Sequence, residues 1–485
     1  VRRKEEFRLQ PADSSVSFRV DQRSDWMRLR FAYEADRTWI DIRVTDPAGR
    51  LRFVHLDAES PREALLHSDL AYTSYLAIPG EIAAGAWKLD FPRLQPQGLF
   101  TLEWECGEGE LPEAIEPLPE RDCWADGAYE WERVREEGQR WYRGDFHSHT
   151  VLSDGKMTPE ATMELAERLG LDFFVATEHN LLPASWPTGK PLAIPGMELT
   201  SFGRGDWNAL GLKRPLDCWG TDAPDGGMRT QEGQNRLFAE AAAQGALCSI
   251  NHPMLGRFAW RYPETPLAAL DALEVFHYPC ILSRAAVQER TLRLWTALWN
   301  DGYRITGIGG SDTHYLPTDR TDFSDKPQTI GDPTTHVYAE RLSAQAILAA
   351  VRQGRVYISR GPELTVSCTV GGKSFTFGDD LTEALNLAAD RTVHCQLTVT
   401  GAAGCTLRVV ENGAEIEAWR IREETQTFDF RFDWRERDYV WRRFDIRHTE
   451  EERLVAVTNP FSCGAKRPEM LTWQDLLDKA GIALP

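Results

Sequence analysis

The period of hydrophobic and polar positions changes twice along the chain. Up to about residue 140 it follows short period-2 runs separated by turn residues: Val16–Val20, Trp39–Val44 closed by Asp46-Pro-Ala-Gly49, Tyr75–Ile78 closed by Pro79-Gly80, and Gly85–Phe91. These runs predict an all-β, sandwich-like domain over 1–140. The acidic, proline-rich stretch 107–120 has a linker's composition and marks its exit.

From Trp141 the period lengthens. Thr158 reads as a helix N-cap with Pro159 at the first helical position, Ala161, Leu165, Ala166 and Leu169 share one face, and Gly170 ends the helix. The buried strand Leu171–Ala176 follows directly. The unit then recurs as a helix near 231–244 with the strand Ala246–Ile250, a Leu- and Trp-rich helix near 284–300 with Arg304–Ile308, and a helix near 342–353 with Arg355–Ser359. Alternating elements of this kind predict a parallel sheet covered by helices, and at this length a closed α/β barrel. Past Gly361-Pro362 the period-2 pattern returns, as in Thr392–Thr400 and Thr427–Phe432, which predicts a second β domain over 363–485 with a short helix near Trp473–Ala480.

Composition narrows the function. The 485 residues are 42% hydrophobic and 27% charged, and no apolar run approaches the roughly 18–20 residues of a membrane helix. The first residues lack the apolar stretch of a secretory signal, so a cytoplasmic location is expected. Nine cysteines without a C-x-x-C pair are poor grammar for a disulfide framework or a thiolate zinc site. The net charge of -19 argues against nucleic acid, whose binding draws affinity from Lys and Arg, and leaves a small molecule as the expected partner. A phosphate ester stays open, since bound divalent ions supply local positive charge.

Seven of the eleven histidines fall in the middle segment. In Gly144-Asp-Phe-His147-Ser-His149 two of them sit two apart at a strand end, so both imidazoles point to one side, as chelation requires. Standing alone, the pair would read as two exposed strand histidines. It is followed by Asp154 in Ser-Asp-Gly155, Glu178-His179, Glu198 in Pro-Gly-Met-Glu198, Asn251-His252-Pro253 and Ser311-Asp312-Thr-His314, each just after a strand. The C-terminal strand ends of such a barrel share one mouth, so these side chains should converge. Imidazoles and carboxylates without thiolate suit Zn, Mn or Fe.

The ordered set His-x-His, Ser-Asp-Gly, Glu-His-Asn, Gly-x-Glu, Asn-His-Pro and Ser-Asp-x-His resembles the PHP (polymerase and histidinol phosphatase) superfamily of metal-dependent hydrolases. More narrowly it is similar to the CehA/McbA branch, named for carbaryl hydrolase. The resemblance covers about 145–362. It implies a distorted (β/α)7 barrel, here flanked by the two all-β domains, and two or three divalent ions. By that resemblance His147, His149, Glu198 and Asp312 would hold one ion. Glu198 would bridge to a second that His252 also binds, and Asp154, His179 and His314 would hold a third. His179, Asp312 and His314 are the candidate catalytic residues. Asp206 stands where the family commonly has a histidine for the second ion. It either ligates through a harder oxygen, shifting preference towards Mn- or Mg-like ions, or leaves that ion weakly held.

Other residues read more quietly. His277 in Glu274-Val-Phe-His277 ends a strand and reads as a hydrogen-bonded neighbour of the site or a core residue, with a place facing the mouth as the alternative, and His336, His55, His67, His394 and His448 read as structural. Arg257, Arg360 and Lys156 lie near motif loops and read as surface charges, with a grip on an anionic group as the alternative, and Trp186, Trp207 and Trp260 flank those loops as packing residues, with pocket walls as the alternative. The chemistry expected is attack of a water acidified between two ions on phosphorus or carbonyl carbon. The leading reading is a phosphoesterase acting on a small mono- or diester. The alternatives are a carbamate, ester or amide hydrolase, and a non-catalytic binding or scaffold protein stabilised by metal.

Overall fold

The computed structural model describes residues 2–485 except 10–13, 34–39, 57–58, 93–97, 112–114, 221–224, 278–284, 321–326, 390–391 and 435–437. The N-terminal strands are β1 Arg2–Leu9, β2 Ser15–Val20, β3 Trp26–Tyr33, β4 Asp41–Thr45, β5 Leu51–Leu56, β6 Glu63–His67, β7 Gly85–Asp90 and β8 Gly98–Gly107. They form two antiparallel four-stranded sheets, in the orders β1-β8-β3-β6 and β2-β7-β4-β5. Alternation sets their inner faces, with Met27, Leu29 and Phe31 of one sheet and Trp87 and Leu89 of the other buried. Phe18 meets Trp104 at 4.9 Å and Phe31 meets Phe53 at 5.9 Å, so the two faces pack on each other. Tyr75–Ile78 is not the expected strand. It is a turn with one isolated bridge, Phe53 to Ala77, because Pro79 offers no N–H to continue a ladder. Trp39 lies outside the described residues.

Nine strands follow that carry or border the motifs: β9 Arg121–Cys123, β10 Glu136–Asp145, β11 Phe173–Ala176, β12 Ser185–Pro187, β13 Leu192–Ser201, β14 Gly205–Leu210, β15 Leu247–Ile250, β16 Ala272–His277 and β17 Thr306–Gly310. Then come β18 Thr334–Leu342 and β19 Val356–Ser359. Helices Pro159–Arg168, Gln231–Ala243, Ala285–Asp301 and Ala344–Arg352 lie between them, each at the expected place. Thr158, Thr230 and Ser343 cap the first, second and fourth through their side chains.

The sheet is mixed where a parallel one was expected. Its order runs β17-β16-β15-β14-β13-β11-β10-β18-β19. β10, β11 and β13 are mutually parallel, as are β15, β16 and β17, but β14 and β18 run against their neighbours. The cause at β14 is a hairpin: Gly203 at φ 71° and Gly205 at φ 104° close 201–205 into a turn in place of a helical crossover. The hydrogen-bonded path is not closed through a β17–β19 ladder. Side chains join the two ends instead, Thr335 bonding Gly309 and Asn459 bonding both Gly307 and Val356.

The sheet also continues past residue 362. β19 pairs with Leu454–Thr458, which pairs with Tyr439–His448 and onward to Cys405–Glu411 and Ala414–Arg420. A separate four-stranded sheet holds Glu363–Val370, Lys373–Phe375, Thr392–Thr400 and Thr425–Asp433. Helix Thr382–Leu387, unexpected from the pattern, precedes the expected helix Trp473–Ala480. The N-terminal strands reach the motif loops as well: Ser60 Oγ donates to Leu152 O at 2.6 Å and Glu59 N to Ser153 O at 3.0 Å. The eight described cysteines form no disulfide, and no described helix is long and apolar enough to cross a membrane.

Candidate metal centre

All nine sequence-predicted ligands converge on one cluster. One buried carboxylate aligns the two segments that open it: Asp145 Oδ1 accepts from His147 N and Ser311 N, both at 3.0 Å, and Oδ2 from Gly331 N at 2.7 Å. His147 O in turn accepts from Asp312 N at 2.8 Å. His147 and His149 therefore leave the end of β10 beside Asp312, both imidazoles facing inward. His147 Nε2 lies 3.2 Å from Glu198 Oε1 and 3.2 Å from Asp312 Oδ1. His149 Nε2 lies 3.3 Å from Glu198 Oε2 and 3.1 Å from Asp312 Oδ1. Donors bound to one ion at about 2.1 Å stand roughly 3–4 Å apart, the spacing of each of these contacts, and the ligand atoms of His147, His149 and Glu198 lie close enough together to hold an ion.

A second set adjoins it. Asp154 Oδ1 is 3.3 Å from His179 Nε2 and 3.1 Å from His314 Nε2, and the His149 ring lies 4.2 Å from each of the rings of His179 and His314. Their orientations are fixed from behind: His179 Nδ1 meets Thr200 Oγ1 at 2.5 Å, and His314 Nδ1 donates to Asp312 O at 2.9 Å. A third set is looser. His252 Nε2 is 3.8 Å from Glu198 Oε1 and 3.8 Å from Asp206 Oδ2, and Asn251 Nδ2 steadies Glu198 Oε1 at 2.8 Å. Asp206 thus faces His252 from the strand beside that of Glu198.

Two further residues belong here that no motif singled out as ligands, Glu274 and His277. Glu274 Oε1 is 3.0 Å from His147 Nδ1, and Oε2 is 3.3 Å from His277 Nδ1 and accepts from His252 N at 2.7 Å. Their signal in the sequence is faint, since residues three apart on a regular strand point to opposite faces. Glu178, the neighbour of His179, turns away to hold the 150–153 loop through Thr150 and Ser153.

The cluster is largely buried and highly charged. His147, His149, Glu198, Glu274 and His277 are buried, while the side chains of Asp154, Asp312 and His314 are 18–22% exposed and form its opening. Burial pulls His147 and His179 down, yet Glu198 with Asp312 at the first and Asp154 with Glu198 at the second hold both well above the ordinary imidazole value. His314 rises to about 9 because Asp154 and Asp312 outweigh its burial. Burial and the charges of His179 and His314 push His149 down to about 3, and burial beside His277 takes His252 to about 4. Burial and the Glu198 charge push Asp206 well up. Several inward atoms, among them His147 Nε2, both nitrogens of His149, Asp154 Oδ1 and Glu198 Oε2, are buried without a hydrogen bond. Buried donors and acceptors of this kind are costly unless something completes them, and divalent cations fit the set. Among the described residues, three of the five non-glycine residues with positive φ, Asn180, His252 and Asp312, lie at this cluster, where a rigid surround stores the strain.

The peripheral candidates fall elsewhere. Trp186, Trp207 and Trp260 are at most 1% exposed and are packing, not pocket walls. Arg360 is engaged by Asp332 at 2.6 Å, Lys156 by Asp319 at 2.9 Å, and Arg257 lies over Phe258. His336 stacks on Tyr357 at 4.2 Å and His55 meets Tyr33 Oη, both structural, as expected. A cavity of about 490 Å³ lies between the N-terminal strands and segment 180–184, lined among others by Phe53, Leu76, Leu182 and Trp219. None of the nine predicted ligands lines it.

No family model matches the chain, and no curated protein does. Among solved structures it is similar to a two-domain protein from Bacteroides vulgatus containing a predicted PHP-like metal-dependent phosphoesterase. That match has 17% identity over 69% of this chain and 100% of the other, with a TM-score of 0.35. It is similar also to a protein from Bifidobacterium adolescentis described as a metal-dependent phosphoesterase (16% identity, 39% of this chain, 93% of the other, TM-score 0.23). A third is an amidohydrolase from Chromobacterium violaceum (14% identity, 37% and 92%, TM-score 0.22).

Proposed function

We propose that this chain is a metal-dependent hydrolase of the PHP type, with a small phosphate mono- or diester as its substrate. The arc β10–β19 is read as its distorted (β/α)7 barrel, with sandwich-like units over 1–140 and 363–485. The observation that carries the function is the convergence of His147 and His149 Nε2 on oxygens of Glu198 and Asp312, all within 3.1–3.3 Å. No oxidation-reduction, nucleophilic serine or cysteine chemistry is needed at such a centre. His147, His149, Glu198 and Asp312 would hold one ion, Glu198, Asp206 and His252 a second, and Asp154, His179 and His314 a third. Divalent ions bound there supply Lewis acidity to a water and neutralise charge on the attacked group.

The chain's own residues do the rest. Glu274 fixes the ring of His147, Thr200 that of His179, and Asn251 the carboxylate of Glu198, so the donors are held before substrate arrives. Substrate approaches from the side of Asp154, Asp312 and His314, the exposed rim. His314 sits there with Nδ1 committed to Asp312 O, which leaves Nε2 to steer a proton or an ion.

Metal analysis of the purified protein tests the class: two or three equivalents of Zn, Mn or Fe are expected, and fewer than one, with no activity on adding Mn or Zn, would sink it. p-Nitrophenyl phosphate, a bis-phosphodiester and aryl carbamate or acetate substrates then separate phosphorus from carbonyl chemistry. His147→Ala should abolish whichever activity appears. A metal-loaded protein inert to the whole panel would favour the non-catalytic reading.

A further inference from the structure

We infer that His277 Nε2 is a ligand of the second ion, supplying the imidazole that Asp206 does not. The inference rests on the metal-centre reading above and deepens it. Strand β16 ends on His277, and its register against β17 shifts between Glu274 and Phe276. An irregularity of that kind re-aims the side chains beyond it, and here it brings Glu274 and His277, three residues apart, to the same side.

Glu274 then holds two rings in one way. Its Oε1 faces His147 Nδ1 at 3.0 Å and its Oε2 faces His277 Nδ1 at 3.3 Å. A carboxylate on Nδ1 keeps the proton there and leaves the Nε2 lone pair for a metal. The two Nε2 atoms point at the two oxygens of one carboxylate, His147 at Asp312 Oδ1 (3.2 Å) and His277 at Asp312 Oδ2 (3.7 Å). His277 is 3% exposed, neither of its ring nitrogens makes a hydrogen bond, Nδ1 being in ion-pair contact with Glu274, and its ring is 4.8 Å from that of His252. A core histidine would have both nitrogens satisfied; this one presents a buried donor towards the loosest of the three ligand sets.

Two imidazoles at the second position change its chemistry. A set of His252 and His277 with Glu198 and Asp206 selects borderline transition ions such as Zn or Co over Mg- or Mn-like ions. That reverses the harder preference expected from Asp206 alone.

The test loads ion-free full-length protein with Co(II), counts bound equivalents after desalting and records the visible d–d spectrum. His277→Gln keeps polarity and His277→Phe keeps the ring shape, so at least one should melt like the unsubstituted protein. Each is expected to bind one equivalent fewer and to lose part of the d–d absorbance, and adding Asp206→His should restore both. Excess Mg(II) should leave all equivalents in the unsubstituted protein. Variants that retain every equivalent and an unaltered spectrum would overturn the inference while leaving the proposed function standing. Unsubstituted protein that takes up no Co(II) would overturn both.

Discussion

His336 shows what a buried imidazole does when no ion or carboxylate meets it. Burial, helped by the Arg143 charge, pulls it down to about 3 against an ordinary 6.5. The folded chain therefore prefers the neutral ring: its contribution to stability is complete above pH 6.5 and is lost as pH falls towards 3. Between pH 7 and 5 that loss is about 2 kcal/mol. His336→Phe keeps the stack on Tyr357 and removes the titration, so the drop in unfolding free energy from pH 7 to pH 5 should shrink by about that amount. Denaturant melts at the two pH values read it, and an equal drop in both proteins would refute the account. The contrast with the metal centre explains which residues the sequence disclosed. His147, His149, Asp154, His179, Glu198, His252, Asp312 and His314 sit in short motifs at strand ends, and the chain brings them together as those motifs imply. Glu274 and His277 sit in no motif, and their shared face depends on a register shift that period-2 reasoning does not contain.

At the scale of elements, the helices between strands were legible because each has an apolar face and three of the four have a capping side chain. The direction of the strands was not. β13 is buried along its whole length, so it has no alternation from which pairing could be read, and the β13–β14 hairpin took the place of a crossover. That hairpin carries Glu198 and Asp206, with Thr200 opposite Asp206. It depends on Gly205, which lies at φ 104° and where a Cβ would stand 2.6 Å from Trp260 Cα and 2.9 Å from Ala259 O. Backbone atoms cannot yield as a flexible side chain does, so Gly205→Ala should destabilise the protein by about 3 kcal/mol or more. It should also weaken uptake of the ion at Glu198 and Asp206. Thermal melts of the ion-free protein and metal counts of the loaded one test the two parts. Unchanged melting would show that the hairpin tolerates a side chain there.

Across the whole molecule, the residues after 362 complete the sheet that bears the metal centre. β17 leads directly into Ser311 and Asp312, and among the described residues its backbone has no strand partner on the side away from β16. Asn459 supplies one: its Oδ1 accepts from Gly307 N at 2.8 Å, and its Nδ2 donates to Gly307 O at 2.8 Å and to Val356 O at 3.0 Å. The helix Ala285–Asp301 is held from the same region, Trp441 Nε1 donating to Asn300 Oδ1 and Tyr439 Oη to Trp299 O. Sequence periodicity marks a change of pattern near 362 but is blind to this junction, because one asparagine amide does the work of a strand. Asn459→Ala would strand two buried backbone groups, Gly307 N and Gly307 O, at about 1–3 kcal/mol each, while Val356 O keeps the bond from the backbone N–H of residue 459. A loss of about 2 kcal/mol or more is therefore expected, together with fewer bound metal equivalents, since Asp312 follows the strand that comes loose. A chain ending at residue 362 should fail more completely, remaining insoluble or losing its near-ultraviolet circular dichroism while the full chain keeps it. Soluble 1–362 protein that binds its metals normally would show instead that β17 is secured without the C-terminal strands.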